Sequence, residues 1–117
     1  MGNSRSHEFV LELFATNGHI YVANGYPSIH IYVADADAAA FTARTLGGRV
    51  LVHRSTHDVV VSKRTLFLDA IKVLELAIAP PTLKEQLKLL TEYAECGDYT
   101  ERLLISARID VLNAKKQ

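Results

Sequence analysis

The chain has 117 residues, of which 49% are apolar and 22% charged, and this composition excludes a disordered chain. The length suits one ordinary domain, so we expect a single domain over residues 1–117. Thirteen Lys and Arg residues balance thirteen Asp and Glu residues. That balance excludes a polybasic protein that binds nucleic acid through its bulk charge, but it is compatible with a local basic face.

Cysteine content and hydropathy indicate which cellular compartment to expect. Cys96 is the only cysteine, which excludes an intramolecular disulfide and a cysteine-based zinc site. No apolar run approaches the ~20 residues of a membrane span. The first eight residues are polar and have no secretory core. We therefore expect an intracellular, cytoplasmic protein with no membrane partner.

A helix and then a tight hairpin are predicted at the start of the chain. Residues 8–17 are mostly apolar and predict a buried helix, which Gly18 closes in the left-handed conformation. Asn24 and Gly25 form a favoured two-residue turn. Pairing outward from this turn gives the pairs Ala23–Tyr26, Val22–Pro27, Tyr21–Ser28, Ile20–Ile29 and His19–His30.

Strand alternation gives this hairpin two unlike faces. The apolar face, which we assign to the core, holds Ile20, Val22, Ile29, Ile31 and Val33. The other face holds His19, Tyr21, Tyr26, Ser28, His30 and Tyr32.

A second hairpin is predicted over residues 49–62, after a short helix over 37–46 that Asp35 or Asp37 caps. A two-residue turn at Ser55 and Thr56 would join its strands. On its apolar face the predicted pairs are Val52–Val59 and Val50–Val61. On the opposite face they are Arg49–Ser62, Leu51–Val60 and His53–Asp58.

The rest of the chain reads as three helices. Their predicted apolar stripes are Phe67, Ile71, Leu74 and Ile78; then Leu83, Leu87, Leu90 and Ala94; then Leu103, Ala107, Val111 and Ala114. Pro80 and Pro81 separate the first two, and Thr82 with Glu85 is predicted to form a capping box. The order α-β-β-α-β-β-α-α-α predicts an α+β fold, with a four-stranded antiparallel sheet from two hairpins and helices on one face.

The helix-free face of this sheet is the candidate binding surface. The simplest alternative is a plain solvated surface, which antiparallel sheets commonly have. Tyrosine, histidine and arginine side chains nevertheless suit a polar partner such as nucleic-acid bases and phosphates. Residues 26–65 contain five basic and three acidic residues, so the strand half is the positive half. The three histidines on this face also suggest a metal site. No set of ligands completes a tetrahedral coordination sphere with them, so we predict no metal there.

Several segments together resemble one family, the LAGLIDADG homing endonucleases, in their small single-motif, homodimeric type. HEFVLELFATNGHI resembles the signature helix and its exit into a strand, and LGGRVLV resembles the step into the third strand. YPSIHIYVADADAAAF and PPTLKEQLKLLTEY are similar to later segments, and IDVLNAKK to a C-terminal helix. The order of these motifs covers nearly the whole chain.

The resemblance implies a partner and a chemistry. In this family the signature helices of two subunits pack together, acidic residues at their ends bind a divalent metal, and each sheet lies in the major groove of double-stranded DNA. It places DNA on the helix-free face, with Tyr21, Ser28, His30, Tyr32, Arg49, His53 and Arg54 as the candidate DNA-binding residues. Mg²⁺ is the cofactor it implies if the protein cleaves DNA.

The catalytic positions depart from the family pattern. Counting back from Gly18, Asn17 stands at the position of the metal-binding acid, and an amide is a poor substitute for a carboxylate. Asp35 falls near the family's catalytic centre, although a helix cap is its simpler role. Lys84 best matches the family's lysine near the scissile phosphate, against the alternative of a solvated lysine. Glu12 occupies the signature helix, where a buried charge is costly.

Three functions stay open at this point. The first is a homodimeric DNA-binding protein that has lost nuclease activity or nearly so. The second is an active Mg²⁺-dependent endonuclease with a displaced acid, Glu12 or Asp35. The third is an interaction or ligand-binding module that does not bind DNA.

Overall fold

The computed structural model describes residues 6–23, 25–62 and 64–115, except for the side chains of residues 64–67. Its elements follow the predicted order and confirm the α+β fold. They are α1 (His7–Asn17), β1 (Gly18–Ala23), β2 (Tyr26–Val33), α2 (Ala36–Leu46), β3 (Arg49–His53), β4 (Thr56–Val61), α3 (Arg64–Leu74), α4 (Pro81–Glu95) and α5 (Tyr99–Lys115).

The four strands form one antiparallel sheet in the order β1-β2-β4-β3. All five predicted pairs of the first hairpin are confirmed. Gly25 has a φ of 81° in its turn, as a turn of this type requires; Asn24 lies outside the described residues. The two hairpins meet where β2 pairs with β4, which sets Ile29 opposite Val61 and Ile31 opposite Val59.

The helices cover the apolar face of the sheet. Val10 and Phe14 of α1 are fully buried against the core. Most inward-facing residues of β1, β2 and β4 are also buried, as alternation predicted, and Val22 is partly buried beside them. The buried ones are Ile20, Ile29, Ile31, Val33, Val59 and Val61. One face of the sheet therefore forms the core, and the polar side chains of β1 and β2 lie on the other.

The register of the second hairpin differs from the prediction. Arg54 takes a left-handed φ of 51°, and the two-residue turn is Arg54–Ser55, which pairs His53 with Thr56. Val50 then lies opposite Val59, and Asp58 lies opposite Leu51 instead of His53. Each partner changes by two residues, which is the side-chain period of a strand, so the predicted faces survive although the predicted pairs are wrong.

The predicted stripe of α5 is also wrong. Leu103, Ala107, Val111 and Ala114 are all exposed. Ile109 is fully buried instead, and Ile105 and Leu112 pack beside it against the core. Apolar residues occupy both sides of this helix, so periodicity alone did not distinguish the side that α4 and β1 cover.

Two predictions for the helices α3 and α4 are wrong, and the predicted apolar stripe of α4 is confirmed. The helix α3 ends at Leu74, so Ile78 lies beyond it and is 97% exposed; the side chain of Phe67 lies outside the described part. Pro80 is the N-cap of α4 and makes no side-chain cap, so the box of Thr82 and Glu85 does not form. The predicted stripe of α4, Leu83, Leu87, Leu90 and Ala94, is buried.

Gly18 joins α1 directly to β1, and its role is steric. Its φ of −83° is ordinary extended backbone, so the predicted left-handed conformation is wrong. A Cβ atom at this position would lie 2.5 Å from both the backbone oxygen and the ring Cδ1 of Phe14. Only glycine lets the strand leave the helix so close to the buried Phe14 ring.

Replacing Gly18 by alanine is therefore expected to destabilise the fold. Gly18→Ala should lower the free energy of unfolding by about 1–3 kcal/mol, because the backbone must shift to relieve the overlap. Gly97→Ala is the matched control, since a Cβ there meets no atom within 4 Å. Urea unfolding of both variants measures the difference, and equal midpoints would contradict this explanation of Gly18.

Candidate nucleic-acid interface

The face of the sheet turned away from the helices carries side chains from all four strands. Cross-strand pairing places His19, His30, Val60 and Arg49 along one line across the sheet. Tyr32, Asp58 and Leu51 form the next line, Tyr21 pairs with Ser28, and His53 pairs with Thr56. We call the residues of these two lines and two pairs the open face.

Four aromatic rings form a closed circuit at the β1–β2 side of the open face. Around the circuit, the centroid distances are 6.1 Å for His19–Tyr21, 5.2 Å for Tyr21–His30, 6.3 Å for His30–Tyr32 and 5.3 Å for His19–Tyr32. Both stacked and edge-to-face pairs occur in it, which are the favoured geometries of aromatic rings. The circuit holds each ring in place while leaving its outer edge near solvent.

Ser28, His30 and Asp58 form a chain of hydrogen bonds beside these rings. The Nδ1 atom of His30 lies 3.0 and 3.1 Å from the two carboxylate oxygens of Asp58. Its Nε2 atom lies 2.9 Å from the hydroxyl oxygen of Ser28. The side chain of His30 is 19% exposed and that of Asp58 only 6%. The chain thus runs from a buried carboxylate to a half-buried hydroxyl on the open face.

Tyr32 belongs to the same buried cluster, and its ionisation is suppressed. Burial, the nearby Tyr21 and the charge of Asp58 raise the pKa of Tyr32 from 10.0 to about 12, and a hydrogen bond with Tyr21 adds to the shift. Each of these effects disfavours a phenolate at this position. Tyr32 therefore stays a neutral hydroxyl donor throughout the physiological range of pH.

The candidate basic residues lie at the β3 side of the open face. Arg49 and His53 are exposed at the two ends of β3, and Arg54 is exposed in the turn that follows. Arg49 shares its line with His30, through Val60. The open face thus combines an aromatic, half-buried side on β1 and β2 with a cationic, solvated side on β3.

The three candidate catalytic residues lie on separate elements. Asn17 is the last residue of α1, and Asp35 is the N-cap of α2, where its Oδ2 accepts a 2.8 Å hydrogen bond from the backbone N–H of Ala38. Lys84 is exposed in the first turn of α4 and lines an open groove of about 650 Å³ between α4 and α5. Neither Asn17 nor Asp35 borders that groove.

The donor set in this region does not fit a Mg²⁺ centre of the kind that the resemblance implies. Mg²⁺ prefers carboxylate oxygens, whereas Asn17 offers a neutral amide and the carboxylate of Asp35 already caps α2. Within the described part of this chain, no group of three or more His, Cys, Asp or Glu residues is placed to hold a metal ion.

The sequence predicts that Asp58 and His19 lie on the open face, but it does not predict their contacts. Asp58 is predicted beside His53 and instead bonds His30, and His19, predicted opposite His30, is not among the candidate DNA-binding residues. The pairing of β2 with β4 brings Asp58 to His30, and these residues are 28 positions apart. A signal did exist for His19, because the Asn-Gly turn fixes its register opposite His30.

Comparison with known proteins identifies the fold. The chain matches no family model and no curated protein sequence. Among solved structures it resembles the archaeal intron-encoded homing endonuclease I-Vdi141I complexed with DNA, at a TM-score of 0.74 and 16% identity, over 91% of this chain and 82% of that one. It also resembles the homing endonuclease I-TnaI, at a TM-score of 0.72 and 14% identity, over 97% of this chain and 99% of that one.

Further matches agree. I-CvuI in complex with a DNA target superposes at a TM-score of 0.71 and 13% identity, over 91% of this chain and 80% of that one. The LAGLIDADG meganuclease I-CpaMI, bound to uncleaved DNA, has a TM-score of 0.62 at 12% identity, and the match spans 79% of this chain and 36% of that longer one. The chain therefore has the fold of the LAGLIDADG homing endonucleases, and the resemblance noted in the sequence is confirmed at that level.

The hydropathy of the helices can be checked against the structure. None of the helices in the described ranges is both long and apolar enough to cross a membrane.

The raised pKa of Tyr32 predicts a late-titrating tyrosine. Phenolate absorbance should show one of the five tyrosines ionising near pH 12 while the folded protein persists, and Tyr32→Phe should remove that component. A raised acid pKa stabilises the fold below pH 10, and this stability is lost as the pH rises through about 12. Ionisation of all five tyrosines together near pH 10 in the folded protein would contradict the suppressed ionisation of Tyr32.

Proposed function

We propose that this protein binds double-stranded DNA through the open face, as a homodimer, with nuclease activity that is lost or weak. One observation carries the proposal. The open face presents histidine, tyrosine, serine and arginine side chains on the helix-free side of a fold that it shares with proteins solved in complex with DNA. An intracellular location follows from DNA as the partner.

The chemistry of the open face suits base and phosphate contacts at once. The major groove is about 12 Å wide and admits β-strands, and its base edges offer both donors and acceptors. Ser28 and Tyr32 supply hydroxyl groups that can bond to base edges, and His30 orients Ser28 through its own Nε2. The exposed Arg49 and Arg54 suit phosphate oxygens. Tyr21 extends the first kind of contact onto β1, and His53 extends the second along β3.

The acidic group on this face is arranged so that it does not oppose DNA. A free carboxylate would repel phosphates and favour only the amino groups of bases. Asp58 is almost fully buried and accepts both of its resolved hydrogen bonds from His30. Its charge is thus screened from the groove by the imidazole ring above it.

Loss of cleavage follows from the end of α1. A Mg²⁺-dependent nuclease needs carboxylates that draw the ion to the scissile phosphate. Asn17 provides none, and Asp35 is engaged as a helix cap. Lys84, a solvated residue on α4, does not restore a negative charge. We therefore place this chain among DNA-reading proteins, and an active endonuclease that uses Glu12 or Asp35 is the second candidate.

The homodimer is proposed to form along α1. A groove of about 300 Å³ runs beside this helix, between Leu11 and Ala15 on one side and the segment 76–78 on the other. In that segment Leu76 is 72% and Ile78 97% exposed. Large apolar side chains this exposed next to a groove mark an association surface. Glu12 also borders the groove, and it would have to stay at the solvated rim of the interface.

DNA binding should depend on Arg49 more than on an equally charged residue elsewhere. Arg49→Ala is expected to weaken binding to a labelled mixed-sequence duplex by about tenfold at low salt and to reduce the salt dependence by about one released counterion. Arg108→Ala is the matched control, because Arg108 pairs with Glu85 on the helical side. Fluorescence anisotropy across a salt series measures both. An equal loss in the two variants would contradict binding through the open face.

Dimerisation should depend on the segment beside α1. Ile78→Asp is expected to raise the dimer dissociation constant by at least about tenfold, because the interface would have to bury an unpaired charge. Leu104→Asp, on the exposed side of α5, removes another exposed large apolar residue and should leave the dimer intact. Sedimentation velocity distinguishes them. A wild-type protein that stays monomeric at high concentration would overturn this part of the proposal.

One selection on a random duplex DNA library in the presence of Mg²⁺ distinguishes cleavage from binding. Both the retained sequences and the newly cut ends are sequenced. We expect an enriched motif without cut ends. Cut ends that persist in Asn17→Ala and vanish in Glu12→Gln or in Asp35→Asn would support the active endonuclease. No enrichment at low salt would favour a module that does not bind DNA.

A further inference from the structure

The hydrogen-bond chain of Ser28, His30 and Asp58 has a direction. Both carboxylate oxygens of Asp58 lie within 3.1 Å of Nδ1 of His30, and a carboxylate only accepts hydrogen bonds. The proton of the neutral imidazole must therefore sit on Nδ1. Its Nε2 is then an acceptor, and the partner 2.9 Å away, the hydroxyl of Ser28, has to donate to it.

This direction decides what Ser28 can offer to a ligand. A serine hydroxyl has one proton and two lone pairs. When the proton is directed at His30, only the lone pairs remain for another group. Ser28 is half-buried on the open face, so it meets a ligand there as an acceptor only.

Protonation of His30 reverses the direction. Imidazolium carries a proton on both nitrogens, so Nε2 becomes a donor and Ser28 Oγ must accept from it. The hydroxyl proton of Ser28 stays on Oγ but no longer points at His30, so it is free to turn outward from the open face. Asp58 accepts the hydrogen bond from Nδ1 in both states.

We propose that Ser28 is a base-reading residue whose polarity Asp58 and His30 set: it accepts from an exocyclic amino group of cytosine or adenine when His30 is neutral, and donates to guanine or thymine when His30 is protonated. In the major groove, cytosine N4 and adenine N6 are donors, whereas guanine N7 and O6 and thymine O4 are acceptors. This inference rests on the proposed DNA binding and adds the base class that one position reads.

The other ionisable groups around His30 are compatible with this switch. From β1, His19 and Tyr21 face it, and from β2, Tyr32 does. Asp58 faces it from β4, and Arg49 lies two strands away on the same line. Tyr32 stays neutral to about pH 12. Histidine is the side-chain type whose charge ordinarily changes between pH 5 and 8.

The test is the random-duplex selection, carried out at about pH 8 and again at about pH 5.5, a range that spans histidine titration. For the wild type, one position of the selected half-site should favour cytosine or adenine at high pH. At low pH the same position should shift toward guanine or thymine by about three- to tenfold, the effect of one hydrogen bond. Cytosine should be lost most completely, because it offers no acceptor at its major-groove edge.

Two variants assign the effect. Ser28→Ala keeps every histidine, so a pH-dependent base change that survived in it would overturn the proposal. The double variant His30→Phe/Asp58→Leu keeps a ring against Tyr21 and Tyr32, removes Nε2, and removes the carboxylate that His30→Phe alone would leave buried and unpaired. Ser28 then rotates freely, and the pH dependence should vanish. A motif that is enriched but identical at both pH values would overturn the role of Ser28 and leave DNA binding intact. Enrichment of no motif would overturn base reading by Ser28, and retention of no DNA at low salt would overturn DNA binding itself.

Discussion

The pairing of β2 with β4 is the constraint on which the rest of this molecule depends. It joins two hairpins that are each too small to be stable alone, and it acts on both faces of the sheet at once. On the inner face it sets Ile29 and Ile31 against Val61 and Val59, which form the centre of the core. On the outer face the same register carries Asp58 to within hydrogen-bond distance of His30.

A buried carboxylate on a solvated face has to be satisfied, because an unpaired charge with so little exposure would be strongly destabilising. His30 satisfies it, and the rings of Tyr21, Tyr32 and His19 enclose the imidazole in turn. The consequence is a face whose polar groups are oriented before any ligand arrives. Such preorganisation reduces the entropy that a ligand would otherwise have to supply on binding.

Local sequence signals predicted the structure correctly where the residues favour one backbone conformation. The Asn-Gly turn dictated the first hairpin pair by pair. The second hairpin lacks a turn residue of that kind. Its faces could still be predicted from alternation, but the choice between Arg54 and Ser55 as the start of its turn could not.

Non-local packing decided the remainder. The sequence of α5 has apolar residues on two sides, and the side that is buried depends on α4 and β1, which no local pattern reveals. The partner of Asp58 likewise depends on the distant strand β2. The candidate site could therefore be predicted as a face, with Tyr21, Ser28, His30, Tyr32, Arg49, His53 and Arg54 as expected members. Its internal hydrogen-bond chain could not.

The central claim is that the open face contacts duplex DNA, and the histidines can report on it directly. His19, His30 and His53 lie on the open face, whereas His57 lies on the core side of β4 and bonds the backbone oxygen of Val33. Side-chain NMR resonances of these residues, followed during titration with duplex DNA, test the claim. We expect shifts for the first three histidines and none for His57 or His7. Unchanged resonances on the open face while the protein binds DNA would contradict it.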